Sequence, residues 1–257
     1  MAANALLTTA ATSAASSLKA SNGHQARLSV IVPVRNEAED IEEVIGRLKH
    51  LCELDVELIV VDGESTDGTP EQLAKAGFHV LSSAQGRGHQ FARGCAAASY
   101  DNLLLLHADT LLPDGALMLI ERSLATGSAC WGRFDVQIAG TLNGLGMVAA
   151  MINWRSRLTG IATGDQALFM TRTALAAVGG VPAQVLMEDI ELSRRLRVLS
   201  KPICLRQRVT TSGRRWQRDG LWSTIWLMWT LRWRYWRGAS AESIARAYYP
   251  SSREKNA

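Results

Sequence analysis

Four short, almost unbroken apolar runs mark the first half of the chain, at residues 28–32, 56–61, 78–81 and 102–107. Between them the apolar positions change period. Ile41, Val44, Ile45, Leu48 and Leu51 recur at helical spacing over 38–51, behind the acidic start Glu37, Glu39 and Asp40 that suits a helix N-terminus. Helices are expected also at 70–76, 88–99 and 113–124. Continuous apolar strands separated by amphipathic helices predict an α/β domain, Rossmann-like, with three layers and a mostly parallel central sheet covered on both faces. Ligands of such sheets bind outside the carboxyl ends of the strands, and polar or acidic segments follow three of them: Pro33 to Glu37, Asp62 to Thr69, and His107 to Asp109.

The last part of the chain has a different texture. Six of the eight tryptophans lie between 216 and 236, and Trp222, Trp226, Trp229, Trp233 and Trp236 follow a 4-3-4-3 spacing that marks one face of a helix. Arg232, Arg234 and Arg237 crowd its end, and Gly238 stops it. The pattern divides the chain into an extension over 1–26, a body over 27–212 and a Trp/Arg-rich helical segment over 213–257. The Trp stripe is expected to pack on the body; a lipid interface is the alternative.

Charge sharpens this division. Residues 1–193 carry 13 Lys and Arg against 21 Asp and Glu, and residues 194–257 carry 15 against 3, for a net +4 overall. A basic end beside an acidic body suits an anionic ligand such as a diphosphate or a lipid headgroup, or docking of the end on the body. No nucleic-acid recognition motif accompanies it, so nucleic acid is not expected as a partner. Residues 1–26 lack the charged start and apolar stretch of a secretory signal, and no run approaches the roughly 20 apolar residues of a membrane span. A cytoplasmic protein, free or peripheral at a membrane, is expected. The four cysteines are scattered, without metal-ligand spacing, and read as free thiols.

Each polar segment has a plain local reading. Ser65-Thr66-Asp67-Gly68 makes a turn and a helix cap. Gly86-Arg87-Gly88 opens a helix, and its backbone N–H groups with Arg87 suit a diphosphate. Asp109 offers the hard oxygen that Mg²⁺ or Mn²⁺ requires. Glu188 and Asp189 stand in a first helical turn, where carboxylates complement the dipole.

Taken in order, Ser-Val-Ile-Val-Pro-Val-Arg-Asn-Glu (29–37), Val-Val-Asp-Gly-Glu-Ser-Thr-Asp-Gly-Thr (60–69), the Gly86 to Gly94 segment, His107-Ala108-Asp109, Gly164 to Met170 and Met187-Glu188-Asp189 resemble the family 2 glycosyltransferases. The resemblance implies a GT-A fold and transfer of a sugar from a nucleotide-diphosphate donor, a uridine diphosphate sugar, to an acceptor hydroxyl with inversion. It implies that Pro33, Glu37, Asp62, Arg87, Gln90 and Arg215 face the donor and that Gly164, Asp165 and Gln166 face the acceptor. Asp189 would be the base, with Glu188 as the fallback. Asp109 would bind a divalent metal, Mn²⁺ or Mg²⁺; His107 stands where the family has an acidic residue and would either join the metal or hydrogen-bond a phosphate. Arg214-Arg215-Trp216 resembles the Gln-x-x-Arg-Trp element of some members, with Ser212 in place of the Gln. The compact length, the His-Ala-Asp variant and the Trp-rich end are similar to a subgroup associated with radical S-adenosylmethionine proteins and arsenosugar biosynthesis. Two rival classes keep the same sheet: a nucleotidyltransferase, and a nucleotide-sugar-binding module without turnover.

Overall fold

The computed structural model describes residues 28–248; the expected extension over 1–26 lies outside them. Strand β1 (Leu28–Val34) is buried along its whole length. It is followed by a 3-10 turn at Ala38–Asp40 and helix α1 (Ile41–Glu53), then β2 (Glu57–Asp62), α2 (Thr69–Lys75), β3 (Val80–Ser82), α3 (Arg87–Ala97) and β4 (Asn102–Leu105). Next come β5 (Thr110–Leu111), α4 (Ala116–Ala125), β6 (Trp131–Ala139), α5 (Leu145–Thr159), a 3-10 turn at Gly164–Gln166, β7 (Leu168–Thr171) and α6 (Arg172–Ala177). The chain continues through α7 (Glu188–Leu199), β8 (Ile203–Ser212), α8 (Arg214–Asp219), α9 (Leu221–Trp236) and α10 (Ala241–Tyr248).

One eight-stranded sheet runs in the order β3-β2-β1-β4-β7-β6-β8-β5. Its first four strands are parallel. β7 then enters antiparallel between β4 and β6, β6 and β8 are parallel, and β5 pairs antiparallel with β8 through Thr110 and Thr211. The mostly parallel sheet holds as expected, and the reversal at β7 places it beside the carboxyl end of β4.

Side chains alternate across each strand, so β1 feeds two cores. Val30, Val32 and Val34 join Val44, Leu48, Leu73, Ile120 and Val148 on one face. Ile31 joins Phe91, Cys95, Leu175, Leu192 and Leu196 on the other. Helix α3 lies so close to the sheet that a Cβ on Gly94 would stand 2.3 Å from Ile31 Cγ2.

The C-terminal segment departs from expectation. Trp216, Leu221 and Ile225 join the first core, and Leu231, Ile244 and Ala245 build a small third core against Leu186 and Met187. The five-Trp stripe of α9 takes no part: its members are 56–81% exposed. The packed face is the opposite one, where Thr224 and Leu231 are buried. The expectation that the stripe packs on the body is therefore corrected: the helix is apolar on two sides, and the smaller residues fit the body. No helix among the described residues is long and apolar enough to cross a membrane.

Candidate active site

The loops after β1 and β2 are laced together by short polar side chains. Asn36, at a φ of 51°, donates its N–H to Ser65 Oγ (2.9 Å) and accepts the Thr66 N–H on its own Oδ1 (2.9 Å). Glu37 N–H donates to Thr69 Oγ1 (2.8 Å), and Ala38 N–H donates to Asp67 (2.9 Å). Asp62, buried at the end of β2, accepts the Ser65 N–H (3.1 Å) and hydroxyl (2.5 Å). Turn chemistry thus holds Glu37 at the mouth of the sheet, while Asp62 spends one lone pair of each oxygen on Ser65.

A cavity of about 280 Å³ opens at this edge, lined by Pro33, Arg35, Glu37, Arg87, Gln90, His107, Asp109 and Arg214 among others. Asp109 accepts from the Thr110 hydroxyl (3.2 Å) and the Thr211 hydroxyl (3.4 Å), so the β5/β8 pair fixes it. Burial raises the Glu37 carboxyl above its ordinary value; Arg214 and Arg47 oppose that shift and Asp109 adds to it. Gln90 donates both amide hydrogens to the ends of β1 and β2, at Val34 O (2.8 Å) and Val61 O (2.9 Å). Its NH₂ group is a strut between strands rather than a free donor.

The start of α3 owes its glycines to packing. A Cβ on Gly88 would stand 2.3 Å from Pro182 O, and one on Gly86 would stand 2.8 Å from Val185 Cα. The Gly88 N–H donates to Gln184 O (3.1 Å), so it does not serve the anion that the sequence suggested. The same close approach brings Arg87 Nε within 3.1 Å of Glu188 Oε1. Glu188 is 2% exposed. Burial raises its carboxyl above the ordinary value, Arg87 opposes this, and the neighbouring Asp189 adds to it.

Beside the cavity stands a second polar group. His107 Nδ1 lies 3.4 Å from Asp165 Oδ1, and its ring stacks on Phe91. A Cβ on Gly164 would stand 2.4 Å from His107 Nε2, so this position requires glycine. Asp189 Oδ2 accepts the Gly164 N–H (2.8 Å), and its Oδ1 accepts the Ile190 N–H (2.7 Å). Burial works against the charged His107, yet the hydrogen bond to Asp165 and the charges of Asp165 and Asp109 leave its pKa raised. Burial likewise disfavours the Asp165 charge, but His107, Arg87 and Arg215 hold its pKa down.

These contacts bear on the metal. Among the described residues no three His, Cys, Asp or Glu side chains are placed to hold an ion by themselves. Asp109 fits as a single hard ligand whose remaining partners would be diphosphate oxygens. His107 turns Nδ1 to Asp165, and its buried Nε2, without a hydrogen-bond partner, is the nitrogen left to join the metal or to meet a phosphate.

Two further expectations are corrected. Gln166 is fully buried; its amide donates to Ser156 Oγ (3.1 Å) and accepts from Thr163 N–H (3.2 Å), closing the 3-10 turn instead of facing an acceptor. Arg215 lies over the Tyr248 ring at 3.8 Å, and the neighbouring Arg214 lines the cavity in its place. Sequence reasoning also missed Arg155, on α5. Burial lowers its pKa against the opposing charges of Asp189 and Asp165, and its Nε and Nη2 are buried without a hydrogen-bond partner. A lone arginine inside a helix carries no motif that could have singled it out.

A mostly parallel sheet, reversed at β7 and at the edge strand β5 and bearing carboxylates and arginines at its carboxyl edge, fits a GT-A architecture. Residues 29–175, more than half of the chain, match the family model described as Glycosyl transferase family 2. The chain belongs to that family. It is 30% identical over 109 residues to a dolichol-phosphate mannosyltransferase of Pyrococcus furiosus, covering 40% of this chain and 31% of that one. It is 34% identical over 96 residues to glucosyl-3-phosphoglycerate synthase of Mycobacterium tuberculosis, covering 34% and 30%. The chain thus matches about a third of the length of these curated relatives. Solved structures of similar fold include a mannosyltransferase of Pyrobaculum calidifontis in complex with GDP-Man and Mn²⁺ (TM-score 0.54, 21% identity, 72% of this chain and 56% of that one). The mycobacterial synthase in complex with Mn²⁺, UDP-glucose and phosphoglyceric acid is another (TM-score 0.50, 22% identity, 72% and 70%).

Proposed function

We propose that this chain transfers a sugar from a nucleotide diphosphate, a UDP-sugar, to an acceptor hydroxyl with inversion at the anomeric carbon. The observation that carries the reading is one cavity in which Arg35, Arg87 and Arg214 meet Glu37 and Asp109. Beside it Asp189 is held by the Gly164 N–H. Arginines suit a diphosphate, and carboxylates suit ribose hydroxyls and a divalent cation. The choice of UDP follows the mycobacterial synthase, crystallised with UDP-glucose.

Glu37 and Asp62 are assigned to base and ribose, and Pro33 to the wall beneath them. Arg35, Arg87 and Arg214 bind the diphosphate and stabilise its charge as the anomeric C–O bond breaks. A Mn²⁺ or Mg²⁺ held by Asp109 would supply Lewis-acid stabilisation of the same leaving group. His107, anchored on Asp165 and lining the cavity, is assigned to the diphosphate side, as a hydrogen bond to phosphate or a second metal ligand. Asp189 accepts the acceptor's hydroxyl proton; the oxygen forms the new bond from the face opposite the leaving nucleotide. Arg155, with two buried N–H groups unmet, faces the acceptor side and suits an anionic group on the acceptor. A place in arsenosugar or related glycoside synthesis rests on the resemblance of the His-Ala-Asp variant and the Trp-rich end.

The test is a donor screen with Mn²⁺ and mass detection of products, on the wild type and on Asp109→Asn and Asp189→Asn. Transfer with release of UDP is expected, and a loss of about a hundredfold or more in each variant. Pyrophosphate release from a nucleoside triphosphate would replace the reading with nucleotidyl transfer. Binding without turnover in the wild type, or wild-type rates in both variants, would overturn the assignment.

A further inference from the structure

Helix α9 is anchored to the body by one side, through Thr224 and Leu231. On the opposite side it presents Trp222, Trp226, Trp229, Trp233 and Trp236 to solvent. At 100° per residue the five indoles fall within an arc of about 80°, along a helix about 24 Å long (16 residues at a 1.5 Å rise). Among the described residues none of the five indole N–H groups has a protein acceptor. Arg232 and Arg237 flank the row, and Arg237 lies 5.0 Å from the centre of the Trp233 ring. The helix carries no acidic residue, and Asp219, just ahead of it, is already paired with Arg218 at 2.8 Å.

We propose that this row is a membrane-docking element, on which α9 lies in the headgroup region of an anionic bilayer. Indole is the side chain suited to that depth, because it offers a large apolar ring and one N–H for a headgroup oxygen. The flanking arginines would meet lipid phosphates. The chain's net charge of +4 favours the same surface from a distance. The length of α9 fits a helix lying in the plane of the interface rather than crossing it.

A second copy of the chain is the competing occupant, since 4-3 spacing also suits a helix pair. Charge argues against it. Two α9 helices face to face would bury Arg232 and Arg237 with no carboxylate to meet them, at a desolvation cost that the lipid phosphates remove. The other exposed apolar row, around Trp154 and Leu158 on α5, lacks this complementarity. Arg157 beside it is paired with Asp135, and Arg155 turns inward.

The proposal does not depend on the transfer chemistry, so either can fail alone. The full chain is floated with vesicles of phosphatidylcholine plus phosphatidylglycerol, and with phosphatidylcholine alone. Wild type is expected to float with the anionic vesicles and to bind the neutral ones less. W226S/W229S/W233S should lose about a thousandfold in partitioning, near tenfold per indole, and R232Q and R237Q about fivefold each. W154S should bind within twofold of wild type. Thermal melting checks that the triple variant is folded. Should it fail to fold, quenching of wild-type tryptophan fluorescence by brominated lipid replaces it, and strong quenching is expected. No flotation, no quenching, equal binding by a folded triple variant, or loss of binding in W154S would overturn the assignment to α9. A wild-type dimer that the triple variant converts to monomer would overturn it in favour of the second copy.

Discussion

Replacing Arg87 by Met, Glu188 by Gln, and both together, tests whether the buried pair organises the cavity edge. Glu188 is 2% exposed, Arg87 is 27% exposed, and their atoms are 3.1 Å apart. Two unit charges at that separation attract by about 5 kcal/mol at an effective dielectric near 20. After side-chain rearrangement we expect a coupling of about 3 kcal/mol in the double-mutant cycle. R87M should be the costlier single change, at about 3–5 kcal/mol, because it strands a carboxylate in the interior. E188Q leaves a guanidinium that reaches water and should cost less. The assay is urea unfolding of all four proteins at several pH values. Glu188 already titrates above its ordinary 4.5, chiefly through burial. A raised folded pKa means that the native state holds the proton more tightly, so this group's destabilisation is absent below about pH 4.5 and complete above the folded pKa. Without Arg87 that pKa rises further, and the R87M deficit must shrink as pH falls through it. A coupling below about 1 kcal/mol, the range of exposed pairs, or an R87M deficit independent of pH, would refute the reasoning.

Other outcomes follow from single contacts. G88A should lower stability by about 3 kcal/mol or more in urea unfolding, because its methyl would meet Pro182 O at 2.3 Å. Glu57 accepts from the hydroxyls of Ser29 and Ser99 and from the Ser99 N–H. Burial raises its pKa, but these bonds outweigh it and leave the value lowered. Its stabilisation should be present above pH 4.5 and fade as pH falls toward the folded pKa, and E57Q should remove that segment of the pH–stability curve. Burial pushes the Cys95 thiol up to about 12, whereas Cys52 is exposed; iodoacetamide at neutral pH should label Cys52 and spare Cys95, as read by peptide mass. R155M should raise the KM of a productive acceptor about tenfold or more while changing kcat less, as removal of a binding contact does.

How far the sequence could be read followed the local physics of each segment. β1, β2 and β4 are buried on both faces, so they read as short apolar runs, and their length and β-branched content, rather than period, mark them as strands. β6 reads Trp-Gly-Arg-Phe-Asp-Val-Gln-Ile-Ala and hides a fully buried Arg133 paired with Asp135; a buried ion pair breaks the run and disguises the strand. β7 is only four residues long, and β8 carries exposed polar positions. Asp109 and Glu37 were legible because they follow strands. Gln166 was misread because a capping box and a ligand contact draw on the same residue types. The orientation of α9 could not be read at all: Leu227, Leu231 and Tyr235 make its other side apolar too, and periodicity does not say which side meets the body.

The glycines at 86 and 88 connect packing to charge in a way that a phosphate-loop reading would hide. They let the 182–185 loop lie against the start of α3, where Gln184 O takes the Gly88 N–H. That contact sets Glu188 beside Arg87 and buries it. With this N–H spent, a diphosphate bound as proposed would rely on side chains, and three guanidinium groups line the cavity, on Arg35, Arg87 and Arg214, the last also paired with Asp40. Arg87 then answers to two anions, the fixed carboxylate of Glu188 and the ligand. A guanidinium can serve both, since its five donors point in more than one direction, and a lysine would have to choose. In the proposed reaction the pair would hold Arg87 aimed at the cavity before the donor arrives, so that little reorganisation would accompany departure of the nucleotide.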